Sequence, residues 1–208
     1  NTDKLIVLLG VHVPGKYLSA LPGTLKEITP MLKMINIPKI LTGPAIFGTQ
    51  LEGGKFFERL PKNLFSEIKS YGLNFNDLKK YAHKGAELLK QIPDKRMIEI
   101  ETGRGCKVGK CSFCTEPIKS KFLNRKMEDV LAEAVAYYKQ GARFFRLGKQ
   151  ADFYASDRPI ELLKQIRKKC PQIEVLHIDN VNPNSVVRDK EHLITKAIVK
   201  YCTEGNIA

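Results

Sequence analysis

The chain has 208 residues, 43% of them hydrophobic, which is enough apolar material to bury a core as one large domain or two small ones and is the composition of a globular protein. No apolar run approaches the roughly 20 residues that span a bilayer, and Leu5 to Leu9 is too short and wrongly flanked for a secretory signal, so a cytoplasmic protein without a membrane partner is expected. The formal charge of +13 attracts nucleotides, nucleic acid or acidic surfaces without choosing among them, and its lysines are spread along the chain as on an ordinary solvated basic surface.

In chain order, Lys4 to Gly10 reads as a short buried strand, Thr24 to Ile35 as a helix and Lys39 to Thr42 as a second strand. Pro14, Gly15, Pro22 and Gly23 fall in the loop after the first strand, and Gly43-Pro44 stops the second; loops at strand C-termini are where open α/β sheets bind ligands. The segment 53–96 changes character. Its mixed charge, its helical spacing around Phe65 to Tyr71 and Leu78 to Leu89, and Pro93 read as a helical connector.

From Met97 a pattern of strand, loop and amphipathic helix repeats three times. The predicted strands are Met97 to Thr102, Arg143 to Gly148 and Glu174 to Asn180; the predicted helices are Met127 to Gln140, Ile160 to Lys169 and about Glu191 to Cys202. Such alternation predicts a parallel sheet with right-handed crossovers, as in a (β/α) barrel or an open α/β layer. Along these strands Ile98, Ile100, Phe145, Leu147, Leu176 and Ile178 form the apolar face that helices should cover. The opposite face carries Glu99, Glu101, Arg146, Gly148, His177 and Asp179. Charges of both signs there suit a ligand cavity, or a mutually satisfied ion-pair network, better than a dry core.

Three of the five cysteines, Cys106, Cys111 and Cys114, lie on a glycine-rich loop that leaves the first of these strands with spacing C-x4-C-x2-C. That clustering favours metal over a disulfide scaffold. Three thiolates on one loop can bind a cubane and leave one iron without a protein ligand, whereas a structural zinc site is normally closed by four ligands. His83 and His177 are the distant donors that would complete such a zinc site. Cys170 and Cys202 stand alone and read as buried packing residues.

The loop Gly103-Arg104-Gly105 followed by three cysteines ending in Cys111-Ser112-Phe113-Cys114, placed directly after the first strand of a βα series, resembles the radical SAM superfamily. The usual family spacing is C-x3-C-x2-C; here the first gap holds four residues, Lys107 to Lys110, with Gly109 giving the loop room. The resemblance implies a [4Fe-4S] cluster on Cys106, Cys111 and Cys114. It also implies S-adenosylmethionine as the second cofactor, cleaved reductively to start radical chemistry, and an electron donor such as ferredoxin or flavodoxin. By the same resemblance Phe113 lies near the adenine, Gly148 and Gln150 fall where a backbone turn binds the methionine amino group, and His177, Asp179 and Asn182 fall where the third strand reaches ribose or carboxylate. Glu116-Pro117 after the last cysteine is also similar to the family. Residues 97–208 then correspond to the N-terminal part of a (β/α) TIM-like barrel, truncated, with Gly205 read as a helix cap before the opening of a fourth strand.

Val11-His12-Val13-Pro14-Gly15 through Ile28, with Gly43-Pro44-Ala45, resembles the later part of the cobalamin-binding domain that precedes the barrel in one large radical SAM subgroup. Residues 1–52 would then end a Rossmann-like α/β domain, and cobalamin enters as a candidate cofactor. His12 and Gly15 fit the cobalt-ligand signature, but Gly10 stands where the signature has aspartate, so His12 is not assigned as a cobalt ligand. The expectation is a fragment of a radical SAM enzyme of unassigned substrate, with methyl transfer or RNA modification as candidate reactions. The alternative is a zinc- or cluster-stabilised RNA-binding module, for which the chain offers basic residues but no stripe of stacking aromatics.

Overall fold

The protein is described from a computed structural model, in which the residues described are 2–9, 25–43, 46, 49–50, 57–58, 61–69, 74–109, 111, 121–148 and 150–203. The chain divides into two compact units, Asn1–Leu73 and Asn74–Ala208, so the division falls inside the segment 53–96. No helix among the described residues is long and apolar enough to cross a membrane.

The first unit is built on strands β1 (Leu5–Leu8), β2 (Lys39–Thr42) and β5 (Glu67–Ile68), all parallel in the order β1-β2-β5, with helix α1 (Leu25–Lys33) between the first two. Strands β3 (Thr49–Gln50) and β4 (Phe57–Glu58) form a separate two-residue antiparallel ladder. Val7, Leu32, Leu41 and Phe65 make the buried cluster of this unit, because Val7 and Leu41 share one sheet face and Leu32 faces inward from α1. Two expectations are corrected here. The spacing of Phe65 to Tyr71 predicts a helix, yet Glu67 and Ile68 pair with Ile40 and Leu41, extended by bonds from Ser66 N to Lys39 O (2.9 Å) and Lys69 N to Leu41 O (2.9 Å). Parallel pairing overrides a local spacing only a few residues long. The first strand reads as a buried run, but Ile6 and Leu8 are 60% and 59% exposed, since the described helix covers the Val7 face alone.

The second unit carries β6 (Ile98–Glu101), β9 (Phe144–Gly148) and β10 (Val175–Ile178), all parallel in the order β10-β9-β6. Helix α3 (Met127–Lys139) joins β6 to β9 and α4 (Pro159–Lys169) joins β9 to β10; α5 (Pro183–Arg188) and α6 (Leu193–Tyr201) follow. The predicted strands and main helices are present within one or two residues. The apolar set behaves as expected: Ile100, Phe145, Leu147, Leu176 and Ile178 are essentially without solvent contact, packed in one cluster with Val130, Leu131, Leu162, Leu163, Ile166 and Ile198 from the helices. Each such side chain contributes about 1.5–3 kcal/mol of gross burial free energy. Gly141, at φ +89°, ends α3 in the left-handed conformation that a side chain would resist. Helix α2 (Phe75–Glu87) packs against α3, with Lys79 Nζ 2.8 Å from Asp129 Oδ1.

After α6 the chain returns to the sheet. Thr203 N donates to Leu176 O (3.1 Å) and Thr203 Oγ1 accepts from Leu176 N (2.9 Å), so this residue lies along the outer edge of β10. The described molecule is a mixed α/β protein with parallel sheets.

Candidate metal centre and the polar sheet face

The cysteine loop starts where β6 ends. Thr102 N still donates to Gly148 O (3.1 Å), after which β7 (Gly103–Arg104) pairs antiparallel with β8 (Leu123–Asn124). This ladder pairs the two flanks of the segment 105–122, whose sequence contains all three motif cysteines. Gly103 is required by close approach: a Cβ there would sit 2.7 Å from Gln150 Oε1 and 2.8 Å from Leu123 O. Gly105 and Gly109 take positive φ, 70° and 58°, as the loop turns. Cys106 is a half-buried free thiol and Cys111 an exposed one. Cys114 and Phe113, like Glu116, Pro117 and His12, lie outside the described residues.

Among the described residues no group of three His, Cys, Asp or Glu side chains gathers as a metal site. The motif thus contributes two described thiols. His83 lies on the exposed side of α2, lining a groove of about 260 Å³ with Glu87, Lys139 and Gln140, and His177 is half-buried on β10.

The polar sheet face is ordered by register. Glu99, Arg146 and His177 are neighbours across the three strands, and Glu101 lies beside Gly148. Arg146 Nη2 donates to Asp179 Oδ1, and Arg104 donates bidentately to Glu101, Nε to Oε1 at 2.6 Å and Nη2 to Oε2 at 2.9 Å. These pairs stay partly open to water, which limits the cost of desolvating them. Gly148 lies between two carboxylates. A Cβ there would be 3.1 Å from Asp179 Oδ2 and 3.2 Å from Glu99 Oε1, so a side chain at this position would push into both acids. Gly148, His177 and Asp179 are thus brought together on one face.

Gln150, expected in a backbone turn after β9, turns its side chain into the protein. It is buried, its Nε2 donates to Ser156 Oγ, and its Oε1 faces Gly103 at the base of the cysteine loop without a hydrogen-bond partner. Asn182, expected near a ribose, uses its side chain to accept from Asn184 N (2.9 Å) and so caps α5. Asp152 organises the two loops after β9 and β10, accepting from Tyr154 N (3.1 Å), Asn182 N (3.2 Å) and Ser185 Oγ (2.5 Å).

Sequence reasoning passed over Arg125 and Glu133. Arg125 is almost fully buried; its Nη1 donates to Glu101 O (2.7 Å) and Glu133 Oε2 (2.6 Å), leaving Nε and Nη2 unpartnered. Burial pushes the Glu133 carboxyl up from its ordinary range, and Arg125 opposes that shift. The bond to Glu101 raises the Arg104 guanidinium further, against the effect of burial.

No protein-family model matches the chain. Among curated proteins, an uncharacterized protein of Methanocaldococcus jannaschii is 34% identical over 255 aligned residues, covering 99% of this chain and 47% of the relative. An uncharacterized protein of Archaeoglobus fulgidus is 36% identical over 231 aligned residues, covering 99% of this chain and 42% of the relative. The chain therefore spans less than half the length of these curated relatives, and the similarity runs through both compact units.

Proposed function

We propose that the chain is part of a radical SAM enzyme, with Cys106, Cys111 and Cys114 as ligands of a [4Fe-4S] cluster and the polar face of β6, β9 and β10 as the wall of the S-adenosylmethionine site. The observation that carries this reading is the three-cysteine loop itself, which issues from the C-terminal end of a parallel strand and is closed at its base by the β7–β8 ladder. A donor set of thiols only, two of them free and at least partly accessible, suits iron–sulfur chemistry. When bound, such a cluster supplies the electron that breaks a carbon–sulfur bond of S-adenosylmethionine. The chain's own residues hold and orient. In this reading Gly148 leaves room at the sheet face, while His177 and Asp179, the latter fixed by Arg146, offer hydrogen-bonding groups to the cofactor.

A (β/α) barrel of which β6, β9 and β10 are the first three strands is the architecture this reading implies; in that reading Thr203, bonded to Leu176, would lead into a fourth strand. The first unit is then the end of a Rossmann-like domain; if it holds cobalamin, methyl transfer is the reaction that suits it. A cytoplasmic setting with ferredoxin or flavodoxin as electron donor, and RNA among the candidate substrates on account of the net charge, belong to the same proposal.

The test is metal content and paramagnetic resonance after anaerobic reconstitution with iron and sulfide, on wild type and a Cys106→Ala/Cys111→Ala/Cys114→Ala variant. About four irons per chain, lost in the variant, with a reduced-state signal that changes on adding S-adenosylmethionine, is the expected result. A single tightly held zinc, or no metal, would overturn it; the zinc outcome would favour a stabilised binding module.

A further inference from the structure

The β7–β8 ladder has only two residues on each side, too few to hold a loop shut alone. What holds it converges on one residue. The chain enters the loop through Arg104 and leaves it through Arg125, and both arginines bind Glu101, the last residue of β6. Arg104 takes both carboxylate oxygens, and its guanidinium stacks over the Phe75 ring 4.9 Å from the centroid. Arg125 takes the Glu101 backbone carbonyl at 2.7 Å, is anchored from below by Glu133 at 2.6 Å, and donates its own N–H to Thr102 O at 3.1 Å. Charge-assisted guanidinium contacts are among the strongest hydrogen bonds available to a side chain; that of Arg104 is bidentate, those of Arg125 run through Nη1, and one arginine lies on each side of the loop.

We propose that Glu101 is a positioning residue of the cysteine loop, joining its two ends through Arg104 and Arg125 so that they are held side by side before metal arrives. The physical reason is entropic. Bringing three ligands on one stretch of chain to a single point costs less when the ends of that stretch are already fixed side by side. Glu101 touches no reacting atom in this role; it acts through the two arginines. The inference rests on the reading that the loop binds metal, but it concerns the loop's order in the metal-free chain as well.

Two properties of the full chain test it. Glu101→Gln removes the charge that Arg104 binds and leaves the backbone carbonyl for Arg125; Glu101→Asp keeps the charge. In the iron- and sulfide-reconstituted protein, Glu101→Gln should lose iron to a chelator about tenfold faster than wild type, with Glu101→Asp intermediate, the factor expected of a charge-assisted pair partly open to solvent. In the metal-free protein, alkylation of Cys106 should also accelerate in Glu101→Gln, while alkylation of the buried Cys170, which reports opening of the fold, stays at the wild-type rate. Wild-type rates in both assays would overturn the proposal, as would acceleration at Cys106 that Cys170 matches, since that signals loss of fold. If wild type binds no iron, the radical SAM reading fails separately, and the metal-free alkylation rates still decide the role of Glu101.

Discussion

Cys170 and Cys202 end the helices α4 and α6 and are buried in the same core, and burial pushes each thiol up to about 11 from an ordinary 9.0. Between those values the unfolded chain gives up a thiol proton that the folded chain keeps. The folded state then binds more protons, so stability falls as pH rises from about 9 towards about 11 and levels off above it. Across that window each buried thiol accounts for a loss of at most about 3 kcal/mol. Urea midpoints at pH 8 and pH 10.5 should therefore converge in Cys170→Ala/Cys202→Ala relative to wild type; parallel losses in both proteins would show that other groups dominate the alkaline slope. Thiols kept protonated by an apolar core make poor metal ligands, which separates this pair from Cys106 and Cys111, held on a loop with at least partial access to solvent. The separation was legible in the sequence, because three cysteines are clustered among glycines and lysines and the other two end amphipathic helices. The importance of Arg125 was not. A lone arginine before a helix reads as surface, and its carbonyl and carboxylate partners come from Glu101 and Glu133, which no local pattern connects to it.

At the scale of elements, helix α3 is capped from another loop. Its own N-cap position is Lys126, whose side chain makes no cap, and the first free N–H, Met127 N, donates instead to Asp157 Oδ2 at 2.8 Å. Asn124 Nδ2 donates to Ala155 O (2.5 Å) and Arg158 pairs with Glu128, so the segment after β9 is fastened to the start of α3 and the exit of the cysteine loop. Replacing a capping oxygen costs about 1 kcal/mol. Asp157→Ala should lose about that much in thermal or urea denaturation, and Asp157→Asn, which keeps an acceptor, should lose less; equal losses would place the effect in charge rather than capping. The helices themselves were readable from apolar spacing and from stops such as Gly141 and Pro171. Strands β6, β9 and β10 were readable because alternation survives over four or five residues with one face turned into the core. The ladder β7–β8 and strand β5 were not, since two-residue strands show no period and exist only through their partners. Helix α5 opens with Pro183 and has no buried residue, so it offered no apolar stripe to read.

The two units differ in what holds them. Among the described residues the second unit gathers twenty buried side chains into one cluster, whereas the first gathers four, Val7, Leu32, Leu41 and Phe65. In the first unit Ile6 and Leu8 remain open to solvent although parallel sheets usually have both faces covered. Burial supplies most of the free energy that offsets chain entropy, so local opening should be far less costly in the first unit. Hydrogen exchange on the full chain gives the measurement. The amides of β9, the central strand of its sheet, should exchange only through opening of the whole second unit, while those of β2, also central among described strands, should exchange on the order of a hundredfold faster. Equal protection would mean that the first unit draws stability from contacts beyond its four-residue cluster, and raising the pH from 8 to 10.5 gives a second check. Under the burial argument only β9 responds to that pH change, because Cys170 and Cys202 both belong to the larger core.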